Sequence, residues 1–467
     1  MLHTFTFRGG TRVPEYKLTA GAPTIPLPPP AFVSLSMSQH IGTPAEPVVA
    51  VGDTVDKGQL VGNVEGGLGC PVHASISGNV ARIEDKYNAS GKKVRHIVIE
   101  NDGQNRISPN IAPFAKKLAD ASSAEIIERI RQAGISGMGG AAFPTYAKIQ
   151  SAAGKATHMI VNCAECEPYI TANHRLLLER PEDVCGGALI LLKALGLRHA
   201  DIAVENNKKD AIRKLDELLY DNEILSVRVL KTKYPQGDER QLIYALRHIE
   251  LPYGKLPADV GCVIFNAETC AAVYQAFASG MPLIERIVTC SGDCVREPKN
   301  ILVPLGTPIR NLIDFCGGLI KEPQKIINGG PMMGQAQWDI DAPISKGSSS
   351  ILVLSKSAKP HQNQASACIR CGRCVSACPM HLMPNYLALF AKSGKMDMAE
   401  AYNVASCVEC GTCSYNCPGN VPIVQYIRMA KGKIAERRRM QAAAIAASRP
   451  AENVPVDSDK AKKKEAH

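Results

Sequence analysis

Cys368, Cys371, Cys374 and Cys378, with Pro379 next, recur as Cys407, Cys410, Cys413 and Cys417, with Pro418 next. A thiolate at every third residue of a short loop grips three corners of an iron–sulfur cube, and the fourth cysteine, held away by its proline, reaches the other cube. The spacing assigns Cys368, Cys371, Cys374 and Cys417 to one [4Fe–4S] cluster and Cys407, Cys410, Cys413 and Cys378 to a second. Structural zinc needs only four thiolates, usually from two C-x2-C arms. Two full runs of four, each closed by proline, fit clusters better, so the chemistry is one-electron transfer.

A two-electron donor can feed such clusters only through a converter such as a flavin, and the chain offers a place for one. Gly137-Met138-Gly139-Gly140-Ala141-Ala142-Phe143-Pro144-Thr145 lies between two helical stretches. A glycine-rich turn lets backbone N–H groups approach a phosphate or a flat ring. Its spacing matches neither the Rossmann fingerprint nor a Walker loop, so alone it reads equally as a tight structural turn. Three polar segments add weight: Asn162-Cys163-Ala164-Glu165-Cys166-Glu167-Pro168, Tyr234-Pro235-Gln236-Gly237-Asp238-Glu239 and Asn266-Ala267-Glu268-Thr269, with Lys148 just beyond the glycine turn. The first and third follow predicted strands, at the carboxyl edge where α/β sheets bind ligands. Clustered carboxylates also suit a solvated face or a divalent metal, but recurrence at strand ends favours a ligand site.

These residues need a scaffold, and the pattern supplies a multidomain α/β one. Residues 1–112, rich in Gly, Pro, Val and Ile, predict paired hairpins at 48–62 and 71–84, the halves of a lipoyl-like barrel sandwich. Its hairpin carries Pro71-Val72-His73-Ala74-Ser75 in place of a carrier lysine, which excludes swinging-arm chemistry and leaves docking or scaffolding; His73 reads as a surface or hydrogen-bonded histidine. Residues 113–285 alternate helices (124–134, 188–196, 208–221) with buried strands (158–163, 200–206, 259–266), a Rossmann-like layered unit. Residues 286–345 return to short strands with one helix. Residues 360–436 predict helices between and after the cysteine runs, a helical two-cluster ferredoxin-type unit. The basic end, 437–467, reads as a disordered tail.

The 467 residues exceed what one core fills, and no run of 18 apolar residues suits a bilayer. The amino terminus lacks a secretory pattern. Seventeen cysteines then indicate cluster ligands and reduced thiols in the cytosol. The net charge of +10 suits acidic lipid or protein, and without an aromatic-interleaved basic stripe nucleic acid is excluded. Of the remaining cysteines, Cys163 and Cys166 are expected within the flavin site, and Cys290 and Cys294 as buried thiols.

The glycine turn, Asn-x-x-Glu-x-Glu-Pro, Tyr-x-x-Gly-Asp-Glu and Asn-x-Glu-Thr, in that order, resemble the FMN- and NADH-binding subunit of respiratory complex I. With Phe7-Arg8-Gly9-Gly10, Pro14-Glu15, the carrier-less sandwich and the twin cysteine runs, the whole chain resembles the RnfC family of the Rnf electron-transport complex. The resemblance implies a β-grasp domain of the SLBB type at 286–345. It implies FMN against Gly137, Gly139, Gly140 and Ala141, with Lys148, Asn162, Glu165, Tyr234, Gly237, Asp238, Asn266, Glu268 and Thr269 around it. Phe143, Glu167 and Glu239 would face NAD(H). Met138 stands where complex I has arginine, and Ala164 where it has aspartate. The implied activity is hydride exchange between NAD(H) and FMN, with two clusters relaying single electrons in a ferredoxin:NAD+ oxidoreductase. Its partners would be integral-membrane and ferredoxin-like subunits at the cytoplasmic face of the bacterial inner membrane, with the basic tail on anionic lipid. Two alternatives stay open, a soluble cobalamin reductase with the same parts and a non-catalytic docking scaffold.

Overall fold

The computed structural model describes residues 4–88, 91–358 and 365–447. In the first unit the strands Phe32–Ser36, Lys93–Asn101, Gly78–Tyr87 and Thr54–Val55 form one antiparallel sheet, and Glu46–Pro47, Leu60–Asn63 and Val72–His73 a second. Val33, Leu35, Val61, Ile97 and Ile99 fill the space between them, as hydrophobic burial requires of two facing sheets. His73 is buried here rather than at the surface, and its Nδ1 has no hydrogen-bond partner. Burial lowers its pKa to about 3, so it stays neutral.

The second unit holds a four-stranded parallel sheet in the order Leu225–Leu230, Ala200–Glu205, His158–Asn162, Cys262–Asn266. The chain winds outward from His158–Asn162 and then returns to its other side. The order therefore reverses between His158–Asn162 and Cys262–Asn266, the switch point at which an α/β sheet leaves a crevice. The helices Pro181–Leu195 and Ala267–Ala278 cross closely because Gly187 lies against the Cys270 carbonyl; a Cβ there would sit 1.8 Å from that oxygen.

The third unit is wider than 286–345. Its six-stranded sheet runs from Glu285 to Leu354, and Thr24–Pro26 pairs parallel with Lys299–Pro304 at its edge. Strand pairing across a long separation leaves no periodicity signal, which is why the boundary is not legible in the chain. The fourth unit is helical among its described residues: Arg373–Ser376, Pro384–Lys392, Met396–Ala401, Thr412–Tyr415 and Ile423–Ala447. That last helix corrects the disordered reading of 437–447. Its Ala-rich end is a good helix former, and Arg437 and Arg438 pair with Asp397 and Glu400. The rest of the expected tail, 448–467, lies outside the described residues. Among the described residues no helix is long and apolar enough to cross a membrane.

The amino-terminal segment does not belong to the sandwich. Phe5 bridges to Leu230 and Thr11 to Tyr234 on the second unit, and the Gly10 N–H donates to the Ala377 carbonyl of the fourth (3.0 Å). Gly9, at φ +76°, lies so close to the Cys378 carbonyl that a Cβ would meet it at 2.7 Å. The Phe-Arg-Gly-Gly run is thus a joint between the second and fourth units.

Candidate functional site

A cleft of about 900 Å³ opens at the switch point. The glycine turn forms one wall, tied down by Gly137 N–H to the Phe143 carbonyl (2.8 Å) and Met138 N–H to Thr269 Oγ1 (3.0 Å). The N–H groups of Gly139, Gly140 and Ala141 donate to no acceptor among the described residues. Gly140, at φ +107°, has open space where a Cβ would stand. Opposite lies the start of the helix Ala267–Ala278, capped by Asn266, whose side chain accepts from Glu268 N–H (2.9 Å). Free N–H groups facing a helix amino terminus make an anion cradle, and the donors suit the phosphate of FMN.

Most of the expected residues meet in this cleft. Phe143, Lys148, Asn162, Glu165, Glu167, Tyr234, Gly237, Asp238, Glu239, Asn266 and Thr269 all line it. Several are also committed to holding its walls. Asn162 Nδ2 donates to the Gly237 carbonyl (2.9 Å). Glu165 caps the helix Ala172–Glu179 by accepting from Asn173 N–H (2.8 Å). Asp238 caps Glu239–Arg247 by accepting from Arg240 N–H (3.0 Å). Lys148 and Glu239 form an ion pair at 2.6 Å.

Glu268 is the exception. It lies outside the cleft, buried against the Arg286 guanidinium (2.5 Å) and accepting from Ile287 N–H (2.6 Å). Arg286 in turn donates to the Met138 carbonyl (3.3 Å) and to the Lys346 carbonyl. Glu268 is therefore a strut between the second and third units, because a buried charge must be paired where it sits. Cys163 likewise falls in the core while Cys166 lines the cleft, so the pair divides. Cys290 and Cys294 are buried in the third unit, as expected.

Three contributions escape sequence reasoning. Lys17, buried, donates to the carbonyls of Glu165 (2.8 Å), Glu167 (2.8 Å) and Ile170 (2.6 Å), fixing that loop from the amino-terminal joint. The sandwich supplies Gln39, His40 and Ile41 to the cleft, and the Ile41 N–H donates to the Ala142 carbonyl (3.2 Å). The third unit supplies the Gly329–Met333 loop, whose Met332 and Met333 N–H groups donate to the Glu167 carboxylate (3.0 and 2.9 Å). Burial raises the Glu167 pKa to about 7 against those donors. A Cβ on Gly330 would lie 2.2 Å from this carboxylate. The Gly329-Gly330-Pro331 turn after a strand was the one available signal.

The cysteine unit abuts the cleft. Cys378, Cys407, Cys410 and Cys413 line one cavity, so the last cysteine of the first run joins three of the second. Burial pushes the Cys407 thiol up to about 11 and raises Cys378, Cys410 and Cys413. Such a dry four-sulfur pocket suits a cluster. Of the other set, Cys374 is buried within electrostatic reach of Cys368, Cys417 is half-buried, and Cys368 and Cys371 are exposed. Both loops take positive φ at corresponding positions (Arg370 and Glu409, Gly372 and Gly411, His381 and Asn420), so the two runs share one backbone course. Among the described residues no three His, Cys, Asp or Glu side chains are arranged to hold a single metal ion. Tyr234, 1% exposed, spans cleft and cysteine loop: its hydroxyl donates to the Cys410 carbonyl (2.8 Å).

A phosphate-cradling cleft at a switch point, in contact with a twin cysteine-loop unit, defines an iron–sulfur flavoprotein. The family models agree unit by unit. Residues 5–104 match the RnfC barrel sandwich hybrid domain, 130–275 the Nuo51 FMN-binding domain, 287–336 the SLBB domain and 367–421 the 4Fe-4S dicluster domain. The RnfC protein of the Na(+)-translocating ferredoxin:NAD(+) oxidoreductase complex of Acetobacterium woodii is 43% identical over 436 residues, 93% of this chain and 98% of its own. Its counterpart in the proton-translocating complex of Clostridium ljungdahlii is 45% identical over 431 residues, covering 92% and 94%. The counterpart in the ion-translocating oxidoreductase complex of Rhodobacter capsulatus is 39% identical over 444 residues, covering 94% and 85%. The chain belongs to the RnfC family. It is an NADH-linked oxidoreductase subunit, and its cofactors are FMN and [4Fe–4S] clusters.

Proposed function

We propose that this chain is the peripheral subunit at which an ion-translocating ferredoxin:NAD+ oxidoreductase exchanges hydride with NAD(H) and passes electrons singly through two clusters. The observation that carries the reading is the Tyr234 hydroxyl on the Cys410 carbonyl, which joins cleft and cysteine loop without intervening solvent. Bound in the cleft, FMN supplies the exchange between hydride transfer and one-electron transfer. The residues supply position and field. The N–H groups of Gly139, Gly140 and Ala141, with the helix start at Ala267, hold the phosphate. Phe143 and the Lys148–Glu239 pair flank the nicotinamide nucleotide. Glu167, fixed by the third unit, closes the floor beside Tyr234 and keeps water out. Hydride transfer needs no general base, so these carboxylates position rather than move protons.

Cys378, Cys407, Cys410 and Cys413 hold the cluster beside the cleft, and Cys368, Cys371, Cys374 and Cys417 the second. The exposure of Cys368 and Cys371, with Ile369 69% exposed between them, makes the second cluster the exit toward partners. Those partners are integral-membrane and ferredoxin-like subunits of the same complex, at the cytoplasmic face of the inner membrane. The test is an optical and paramagnetic-resonance titration of the reconstituted chain with NADH. Bleaching of flavin absorption followed by two cluster signals is expected. No bleaching of either would leave a non-catalytic docking scaffold as the function.

A further inference from the structure

The carboxyl edge of the parallel sheet carries a second cavity. It lies over the ends of Ala200–Glu205 and Leu225–Leu230, the outer pair of strands, and is closed by residues 12–17 of the amino-terminal joint. Glu165 and Cys166 form a wall common to both cavities. The volume is about 320 Å³, at the bottom of the range for small-molecule sites, roughly 300–1,000 Å³. That admits a mononucleotide or sugar phosphate and excludes a dinucleotide.

Its polar groups are unevenly satisfied. Glu205, fully buried, gives Oε2 to the Lys208 ammonium (3.0 Å), while its Oε1 has no partner. A buried carboxylate oxygen without a donor is costly unless something brings one. At the mouth, the exposed Arg12 and Lys231 form no ion pair among the described residues. Lys17 and Lys208 are already committed to protein acceptors. The cavity thus pairs free cations at its entrance with a free carboxylate oxygen inside. In doubly wound sheets an acidic side chain at the end of the strand next to the first one receives ribose hydroxyls. Glu205 ends the strand next to His158–Asn162, the first of this sheet.

We propose that this cavity binds the ribose-phosphate portion of a mononucleotide, with the phosphate on Arg12 and Lys231 and a ribose hydroxyl donating to Glu205. The site is separate from the flavin cleft and touches it through the wall at Glu165 and Cys166. The test is calorimetric titration of the full chain, loaded with FMN and clusters and saturated with NAD+, using AMP, ribose 5-phosphate and inorganic phosphate as probes. Saturable binding of AMP and ribose 5-phosphate is expected, with phosphate weaker. The R12A/K231A double variant, altered only at exposed positions, weakens both sugar phosphates by about tenfold or more. Glu205→Gln weakens both and leaves inorganic phosphate unchanged. No binding by any probe would mean that the cavity holds solvent only and would overturn the proposal. Binding unchanged in R12A/K231A, or AMP displaced by NAD+, overturns it equally. Should Glu205→Gln fail to fold, the double variant still decides.

Discussion

Replacing Tyr234 by Phe tests whether one hydroxyl couples the cleft to the cysteine loop. The ring is 1% exposed and keeps its packing in the variant, so only the hydroxyl's bonds are lost. Removing one neutral hydrogen bond costs about 1 kcal/mol, and stranding the buried Cys410 carbonyl costs roughly 1–3 kcal/mol if no water replaces the donor. The expected loss of unfolding free energy is therefore about 1–3 kcal/mol, read from denaturant midpoints at constant slope. Tyr234 also helps hold down the Glu167 carboxyl, so in the variant the Glu167 titration moves above its value of about 7. Rapid mixing with NADH separates the two halves of the function. Flavin bleaching keeps its rate, while iron–sulfur bleaching slows because the Cys410 loop loses its anchor to the cleft. Unchanged stability together with an unchanged cluster-reduction rate would refute the argument.

Other outcomes follow from the same geometry. Cys378→Ser removes a ligand from the cluster held by Cys407, Cys410 and Cys413 and leaves the other signal, and Cys417→Ser does the reverse; iron content and paramagnetic resonance distinguish this from damage to the nearer cluster. Glu268→Gln leaves Arg286 buried without its counter-charge, for a stability loss of roughly 3–5 kcal/mol and a smaller change in FMN affinity; a selective loss of FMN binding would restore Glu268 to the cofactor site. The folded Glu167 pKa of about 7 lies above its ordinary 4.5, so its contribution to stability is fully present below about 4.5 and is lost as pH rises through 7. Glu167→Gln flattens that fall between pH 4.5 and 7, and a variant with the wild-type slope counts against it. Gly330→Ala drives a methyl into the Glu167 carboxylate, and NAD(H) affinity, measured by titration, falls while the iron content stays constant.

The cysteine runs, the glycine turn and the three polar segments were legible because each is local: ligand spacing, turn chemistry and strand-end position are fixed within a few residues. Helices such as Ser123–Gln132, with its Ser122–Glu125 capping box, were legible for the same reason. What a local pattern cannot carry is the partner of a charge. Glu268 sits in a motif with Asn266 and Thr269, yet its fate was decided by Arg286 on the next unit. Gly9 and Lys17 acquired roles only where the amino terminus threads between distant units. The Met332 and Met333 N–H groups reach Glu167 only because the third unit folds over the cleft.

By itself, the sequence determined that this chain holds iron–sulfur clusters and an α/β ligand site, since thiolate spacing and strand-end polarity are intrinsic to short stretches. Tertiary structure alone decided that the two are joined. Strand order placed the cleft at the switch point, long-range packing carried Cys378 to the second cysteine run, and burial drove the Tyr234 hydroxyl onto the one carbonyl in reach.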